Sequence, residues 1–366
     1  MKIAEENFNE DEKIIFPDIE DTADIIFTTG TTGASKGVEL SHKALTAATE
    51  NLISGFQYKP ETLLIIPGPL NHSSAIKNFC ASFANGSCAY IVNGLVDIKE
   101  FFKALDYPEG SKACNVSPSA IRTILQLTGN ITGKYKNVID FIEVATAPLP
   151  ETDKILLCQL LPNSRLYNRY GSTESSSSSI LDFNKYPDKI NCIGRPMINS
   201  KIFIVDENHN EIKSSKENPG LIACAGDVNM KGYINDPELT AKTLVNGVVY
   251  TNDLGYIDEE GFIYVTGRKD DVINVGGLKV APTEVEDAAL DYEGVEDCIC
   301  IAVPDKITGS ALKLLVVYKE GREFNPAEIN SFLKKRLENY KVPNFYERVD
   351  KVARTFNGKI NRKFYR

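Results

Sequence analysis

The sequence predicts an α/β fold with a large domain on a mostly parallel sheet, followed by a smaller α+β domain. Strand-like and helix-like segments alternate over residues 22–170, whereas residues 190–266 read as short strands separated by turns. The charge balance then changes: residues 1–270 carry 25 basic and 35 acidic side chains, and residues 271–366 carry 16 and 15. We therefore expect an α/β part over 1–189, a small β-barrel or meander over 190–269 and an α+β module over 270–366.

In the first part, short apolar runs that end near Gly or Pro predict strands. These runs are ADIIFTTG, ETLLIIP, CAYIV and NVIDFIEVATA. One helix is expected to open at the N-cap Ser41 and to close near Gly55, and another to open at Ser117-Pro118. Ligands of such sheets lie beyond the carboxyl ends of the strands.

Later segments predict strands at KIFIVD, GLIACAG, GVVYTND and GFIYVTG. In the last part, Thr283 and Glu286 predict a capping box after Pro282, and Asn325-Pro326 predicts the start of a second helix. The serine run 175–179 predicts a solvated turn.

Composition excludes several classes of protein. The 366 residues are 42% hydrophobic and 25% charged, which excludes disordered and fibrous chains. The absence of a long apolar run and the charged start MKIAEENFNEDEK argue against a membrane span and a secretory signal. A net charge of −9 disfavours nucleic-acid binding. The eight scattered cysteines lack a CxxC pair, which disfavours zinc and indicates reduced thiols in the cytoplasm.

The first segment with chemical character is TTGTTGASKGV, directly after a predicted strand. Its glycines and successive amides are typical of an anion-binding nest, Lys36 adds a positive charge, and the helix after Ser41 is expected to add its positive end. The residues expected to bind phosphate are Thr28, Thr29, Gly30, Thr31, Thr32, Gly33 and Lys36. The Walker spacing does not fit, so the residues alone leave polyphosphate binding and a mobile polar loop equally open.

The segment TTGTTGASKGVELSH resembles the phosphate loop of the adenylate-forming superfamily of acyl-CoA synthetases, adenylation domains and luciferases. Eight further blocks follow in that family's order. They are PLNHSS, ATAPLP, YNRYGSTES, GDVNMKGY, YTNDLG, GRKDDVINVGGLKVAPTEVE, LENYKVP and RTFNGKINR. The resemblance covers residues 28–362, nearly all of the chain.

The resemblance implies roles for individual residues at the nucleotide. Tyr170 would stack on adenine, Thr173 would donate to the α-phosphate and Glu174 would hold Mg²⁺. Asp253 would accept both ribose hydroxyls, and Arg268 would help to bind the same sugar. Lys359 would be the catalytic lysine of adenylation. The sequence departs from the family at Asn252, where a glycine is usual; we expect asparagine to tolerate a turn with positive φ there.

The resemblance also implies an acid pocket and a thiol path. The expected pocket residues are His72, Ser73, Thr146, Ala147 and Ser172. The block PLNHSS contains no Asp to pair an α-ammonium, which disfavours α-amino acids; a packed loop histidine remains the alternative for His72. Gly276 and Gly277 would let the pantetheine arm pass, and Asp270 would be the hinge of a mobile C-terminal domain.

The implied activity is that of an ATP-dependent ligase that joins a carboxylic acid to coenzyme A through an acyl-AMP. A ligase that loads a carrier protein or stops at the adenylate is one alternative, and a truncated, non-catalytic homologue that binds nucleotide or a partner chain is another. Family members carry a substantial segment before the phosphate loop, whereas 27 residues precede Thr28 here. An exposed sheet edge would follow, so we expect a homo-oligomer or a partner that covers it.

Overall fold

The computed structural model describes residues 16–29, 35–92, 94–95, 98–145, 149–354 and 360–365. Seven of the expected site residues lie outside these ranges. They are Gly30, Thr31, Thr32, Gly33, Thr146, Ala147 and Lys359.

Fifteen described strands and six described helices precede residue 269. The strands are β1 (Thr22–Thr29), β2 (Ser35–Ser41), β3 (Leu63–Ile66), β4 (Cys88–Ile91), β5 (Lys112–Val116), β6 (Ile139–Val144), β7 (Arg165–Ser172), β8 (Ser176–Asp182), β9 (Cys192–Pro196), β10 (Lys201–Val205), β11 (Gly220–Ala225), β12 (Gly232–Tyr233), β13 (Leu244–Val245), β14 (Val248–Ile257) and β15 (Ile263–Arg268). The helices are α1 (His42–Phe56), α2 (Ser73–Ala84), α3 (Ile98–Leu105), α4 (Pro118–Thr128), α5 (Glu151–Leu160) and α6 (Pro237–Thr243).

A twelve-stranded sheet forms the centre of this part, in the order β10-β11-β14-β15-β9-β8-β7-β6-β5-β3-β4, with β13 paired to β14. The strands β4, β3, β5, β6 and β7 are parallel, which confirms the predicted parallel sheet. In the 190–266 segment, β10, β11, β14 and β15 pair antiparallel as a meander that continues the same sheet through β9, whereas β12 pairs with β2. Strand β1 lies outside this sheet, because it forms a separate antiparallel sheet with β2 and β12.

Both predicted helix starts in this part are confirmed. The Ser41 hydroxyl accepts a hydrogen bond from the Ala44 amide at 3.1 Å, and the Ser117 hydroxyl accepts one from the Ala120 amide at 3.2 Å. These bonds satisfy amides that the first helical turn leaves without an intrahelical partner.

The expected contribution of helix α1 to the phosphate loop is wrong. In the β1–β2 hairpin, Thr29 pairs with Ser35 beside the loop, whereas Thr22 pairs with Ser41 at the other end. Six residues of extended strand separate Ser35 from Ser41, a distance of roughly 20 Å. The N-terminus of α1 follows Ser41, so its positive end lies roughly 20 Å from Ser35, the residue that follows the loop.

The solvated turn predicted for the serine run is also wrong. Ser175–Ser179 are buried, and Ser176 begins strand β8. Two of their hydroxyls donate to backbone carbonyls, Ser178 to Ser175 at 2.9 Å and Ser179 to Ile193 at 2.8 Å, whereas the Ser176 hydroxyl has no partner among the described residues. A buried hydroxyl with a partner carries little desolvation penalty.

The C-terminal module has its own core. Its elements are β16 (Ile273–Val275), β17 (Leu278–Val280), α7 (Pro282–Leu290), β18 (Val295–Asp305), β19 (Gly309–Tyr318), α8 (Pro326–Leu333) and β20 (Phe345–Arg348). Helix α8 starts as predicted, since Asn325 Oδ1 accepts from the Ala327 amide at 3.1 Å. The capping box of α7 does not form, because the Glu286 carboxylate instead accepts from the Cys300 amide and from Arg362.

Within the described residues, none of the helices is both long and apolar enough to cross a membrane.

Candidate active site

The carboxyl end of β7 and the turn that joins it to β8 carry Tyr170 to Glu174, at the carboxyl end of the parallel strands. A Cβ atom on Gly171 would lie 1.7 Å from the Ser176 carbonyl oxygen, so only glycine allows the two strands to approach this closely. The Ser172 hydroxyl accepts from the Ser175 amide at 3.0 Å and fixes the turn from inside. The expected ligand-binding edge of the sheet therefore has a tightly defined backbone.

Three of the residues expected at adenosine lie together, with Asp253 in contact with the other two. The Tyr170 hydroxyl donates to Asp253 Oδ2 at 2.7 Å, and Arg268 Nε lies 3.3 Å from Asp253 Oδ1. Burial, with a contribution from the Asp253 charge, raises the pKa of Tyr170 well above its usual value, so the phenol stays a donor. Asn252 lies within strand β14, so the glycine-like turn expected for it is wrong.

A second group of side chains forms around Glu174. Its Oε1 accepts from the Tyr233 hydroxyl at 2.8 Å, and the Met230 amide donates to its backbone carbonyl at 2.8 Å. Lys36 Nζ lies 5.6 Å from the centre of the Tyr233 ring. Burial raises the pKa of Tyr233 above its usual value. Tyr233 was not identified from the sequence, although this residue ends GDVNMKGY, one of the blocks that resemble the family.

The Glu174 group fits a magnesium ion that is shared with a nucleotide. Mg²⁺ in such sites is held by one or two carboxylates together with substrate phosphates. Among the described residues, no three His, Cys, Asp or Glu side chains come close enough to hold a metal by themselves. Glu174 therefore supplies one carboxylate of a partial site that phosphate oxygens would complete.

The described acid-pocket residues lie at the start of helix α2 and on the β7–β8 turn. His72 is the N-cap of α2: its Nδ1 accepts from the Ser74 amide at 3.2 Å, and the side chain is half-buried. Ser73 is buried, Ser172 is exposed and Thr173 is half-buried. The capping bond gives His72 a structural role, and its place in the acid pocket stays a prediction.

Below these residues, a buried polar network joins α2 to the sheet. Arg169 donates to Glu143 Oε1 and, at 2.6 Å, to the Ser74 hydroxyl. Asn115 donates to Glu143 Oε2 at 2.9 Å, and Arg169 also donates to the Ser177 hydroxyl at 3.0 Å. The sequence reasoning missed this network; Glu143, a carboxylate inside the apolar run NVIDFIEVA, was the available signal.

The predicted hinge and thiol-path residues lie where the module begins. Asp270 belongs to a single 3₁₀ turn, Lys269–Asp271, and its Oδ2 accepts from Asn252 Nδ2 at 3.1 Å. Gly276 and Gly277 form the turn of the β16–β17 hairpin with φ of 59° and 93°. Two successive positive φ values are the requirement of a type I′ turn, which explains the glycine pair structurally.

Arg362, three residues after Lys359 in the sequence, forms a buried ion pair with Glu286. Arg362 Nη1 and Nη2 donate to the two oxygens of Glu286 at 2.8 Å and 2.6 Å, and Arg362 Nε lies 3.3 Å from Asp271 Oδ2. Glu286 is only 4% exposed, and burial raises its pKa. This pair fixes the chain end that follows Lys359 to helix α7.

Two family models match the chain. The model described as AMP-binding enzyme matches residues 2–234, and the model described as AMP-binding enzyme C-terminal domain matches residues 284–359. The first match includes Tyr170 and Glu174, whereas Asp253, Arg268 and Asp270 lie between the two matches.

Curated relatives include a long-chain-fatty-acid–CoA ligase of Bacillus subtilis, 31% identical over 94% of this chain and 61% of the relative. A 4-coumarate–CoA ligase of Vanilla planifolia is 27% identical over 92% of this chain and 62% of the relative. The chain thus spans about three fifths of the length of these relatives.

Among solved structures, ATP-bound MatB from Rhodopseudomonas palustris superposes with a TM-score of 0.88 at 24% identity, covering 100% of this chain and 71% of MatB. The o-succinylbenzoate CoA synthetase MenE from Bacillus subtilis, in complex with OSB-AMP, superposes with a TM-score of 0.85 at 23% identity, covering 95% and 69%. These likenesses show the fold that the sequence predicts.

Proposed function

The chain belongs to the AMP-binding enzyme family, and from that premise we propose that it is an ATP-dependent ligase that joins a carboxylic acid to the thiol of coenzyme A. The observation that supports this most directly is the pair of groups around the β7–β8 turn. The side chains of Tyr170, Asp253 and Arg268 suit an adenosine. Glu174, which follows Tyr170 by four residues in the sequence, and Lys36 suit the phosphates.

In the first step, an oxygen of the substrate carboxylate attacks the α-phosphorus of ATP, and pyrophosphate leaves. The two reactants are anions, so oriented donors and cations must stabilise the charge that builds at phosphorus. We assign this work to Thr173 and Lys359, with Lys36 and the loop Thr28–Gly33 at the leaving phosphates. A magnesium ion held by Glu174 would neutralise phosphate charge.

In the second step, the thiol attacks the acyl carbonyl and AMP leaves. We assign coenzyme A as the acceptor and the Gly276–Gly277 turn as the place where its pantetheine arm passes. The acid would lie between helix α2 and the strand ends, with its carboxylate near His72, Ser73, Thr146, Ala147 and Ser172.

The test is ATP–pyrophosphate exchange over a panel of carboxylic acids, followed by thioester formation with coenzyme A or with a phosphopantetheinylated carrier protein. We expect exchange with at least one acid, and thioester formation with coenzyme A. Exchange without transfer to coenzyme A would favour the carrier-protein or adenylate-only alternative. Nucleotide binding without any exchange would favour a non-catalytic homologue.

A further inference from the structure

A lysine is buried beside the acid half of the candidate site without a hydrogen-bond partner. Lys77, on helix α2, is 3% exposed, and its Nζ bonds to none of the residues that the structure describes. Burial, reinforced by the positive charge of Arg169, lowers the pKa of Lys77 to about 7, although Glu174 and Asp24 act in the opposite direction. An ammonium taken out of water without a partner is costly, so its presence calls for an explanation.

Helix α2 places Lys77 below the mouth of the acid site. The helix begins at the carboxyl edge of the sheet and connects β3 to its parallel neighbour β4, so it runs back across the sheet. Lys77 follows Ser73 and Ser74 by four and three residues, which puts it on the same helical face, roughly one turn deeper.

The sheet presents charged side chains at a similar depth. Arg169 precedes Ser172 by three residues on β7, and Glu143 lies on the neighbouring strand β6, one residue before that strand ends at Val144. Three residues of strand correspond to roughly 10 Å. Both side chains are buried and belong to the network with Ser74. A long alkyl chain that entered between α2 and the strands would have to displace or desolvate these groups.

Lys77 lacks a direct ion-pair partner at this depth among the described residues. Glu143 pairs directly with Arg169. Among the described residues, no carboxylate forms an ion pair with the Lys77 amine, and Glu174 and Asp24 attract it only from a greater distance. A ligand anion that reached Lys77 would supply the direct partner that these carboxylates do not.

We propose that Lys77, supported by Arg169, binds a second anionic group of the acid, so that the preferred substrates are short dicarboxylic acids. This inference rests on the proposed function, since it names the substrate class of the same site. It separates this chain from the relatives whose names specify long-chain fatty acids or 4-coumarate.

The test compares acids of equal length in ATP–pyrophosphate exchange: succinate with butyrate, glutarate with pentanoate and adipate with hexanoate, with palmitate as a long-chain acid. For the wild type we expect kcat/KM for at least one dicarboxylate to exceed that of its partner by tenfold or more. In Lys77→Met, which keeps the length of the side chain and removes the charge, this ratio should fall at least tenfold through loss of the dicarboxylate.

Lys112→Met is the matched control. Lys112 is also buried, at 1% exposure, but it lies at the amino end of β5 and donates to the backbone carbonyls of Glu109 and Gly110. The dicarboxylate preference should survive in this variant. Wild-type exchange with butyrate, hexanoate or palmitate but with no dicarboxylate would overturn the inference and leave the proposed function standing. An equal loss for both acids of a pair in Lys77→Met would assign Lys77 to the fold and also overturn the inference.

Exchange with no acid at all would overturn the proposed function, and a direct binding measurement then decides the inference separately. Succinate, but not butyrate, should raise the Tm of the wild type, and the shift should vanish in Lys77→Met and persist in Lys112→Met. No difference between the two acids in the wild type would overturn the inference by itself.

Discussion

The Tyr170 hydroxyl donates a hydrogen bond of 2.7 Å to Asp253 Oδ2, across 83 residues of sequence. The bond joins strand β7 to strand β14 and holds the Asp253 carboxylate between Tyr170 and Arg268. An acceptor fixed in this way has less side-chain freedom to lose when ribose hydroxyls arrive.

Tyr170→Phe tests this relationship because it keeps the ring and removes only the donor. We expect KM for ATP to rise about three- to tenfold, the effect of one neutral hydrogen bond worth about 1 kcal/mol. Asp253→Ala should raise it further, since it removes the acceptor itself. Steady-state exchange with ATP varied measures both. An unchanged KM for ATP in Tyr170→Phe would show that the bond does not orient Asp253 for the nucleotide.

Arg362→Met should destabilise the C-terminal module. It leaves the buried Glu286 without its partner, a change that typically costs about 3–5 kcal/mol. Hydrogen exchange of the Cys300 amide, which donates to Glu286, and of the α7 amides should become faster.

The matched control for that change is Arg322→Met, which breaks the exposed pair with Glu293 in the same module. Exposed pairs contribute at most about 1 kcal/mol, so exchange should stay near the wild-type rate. Similar effects of the two variants would contradict the structural role assigned to Arg362.

The lowered pKa of Lys77 predicts that the free energy of unfolding depends on pH. Its folded-state pKa of about 7 lies below the usual value of 10.5, so above pH 7 the unfolded chain retains a proton that the folded chain releases. Below pH 7 the buried charge therefore lowers the free energy of unfolding by its full amount. As the pH rises from 7 toward 10, the free energy of unfolding increases by up to about 1.4 kcal/mol per pH unit.

Urea unfolding of the wild type and of Lys77→Met at several pH values isolates this contribution, because other groups cancel in the difference. Lys77→Met should be the more stable protein at pH 7, and its advantage should shrink with rising pH. A constant difference between the two proteins would show that the lysine does not change protonation on unfolding.

Much of the fold was predictable from local patterns, because the strands β3, β4 and β6 are short apolar runs and α1 and α4 carry serine caps. The predictions that were wrong have a common cause, because contacts with residues distant in the sequence determine the local structure there. Ser175–Ser179 are as polar as a solvated turn, yet they are buried, and Ser179 donates to the carbonyl of Ile193 on β9. Glu286 has the spacing of a capping box, yet Arg362, 76 residues later, takes its carboxylate.

The residues of the candidate site also fall into those that the sequence identified and those that it did not. Tyr170, Asp253 and Arg268 were identified through the sequence blocks that resemble the family, and the structure brings them together. Tyr233 and Arg169 lie inside such blocks but have no local pattern that marks them. Lys77 looks like an ordinary helical surface lysine in sequence, and only the packing of α2 on the sheet buries it.

Lys359→Ala should abolish adenylate formation. Loss of one charged donor to the transition state is worth about 3–4 kcal/mol, which is at least a hundredfold in pyrophosphate exchange. Thioester formation from a supplied acyl-adenylate should be far less affected, because the second step does not need this lysine at phosphorus. Equal losses in both half-reactions would assign Lys359 to the fold.

Asp270→Pro tests the proposed alternation of the C-terminal module between the two half-reactions. Lys359 must reach the α-phosphate in the first state and leave in the second, when Gly276 and Gly277 approach the site. Proline fixes φ near −65° at the turn where the module begins and restricts the preceding residue as well, so it should hold the module in one state. We expect near-normal pyrophosphate exchange together with severely reduced thioester formation.

Asp270→Ala is the control for the side chain. Both substitutions remove the hydrogen bond that Asp270 accepts from Asn252, but alanine leaves φ free. The alanine variant should therefore keep both half-reactions, while the proline variant loses the second. If both variants lose thioester formation alike, the Asn252–Asp270 bond and not backbone rotation controls the step. If the proline variant affects both half-reactions equally, or neither, Asp270 is not the hinge.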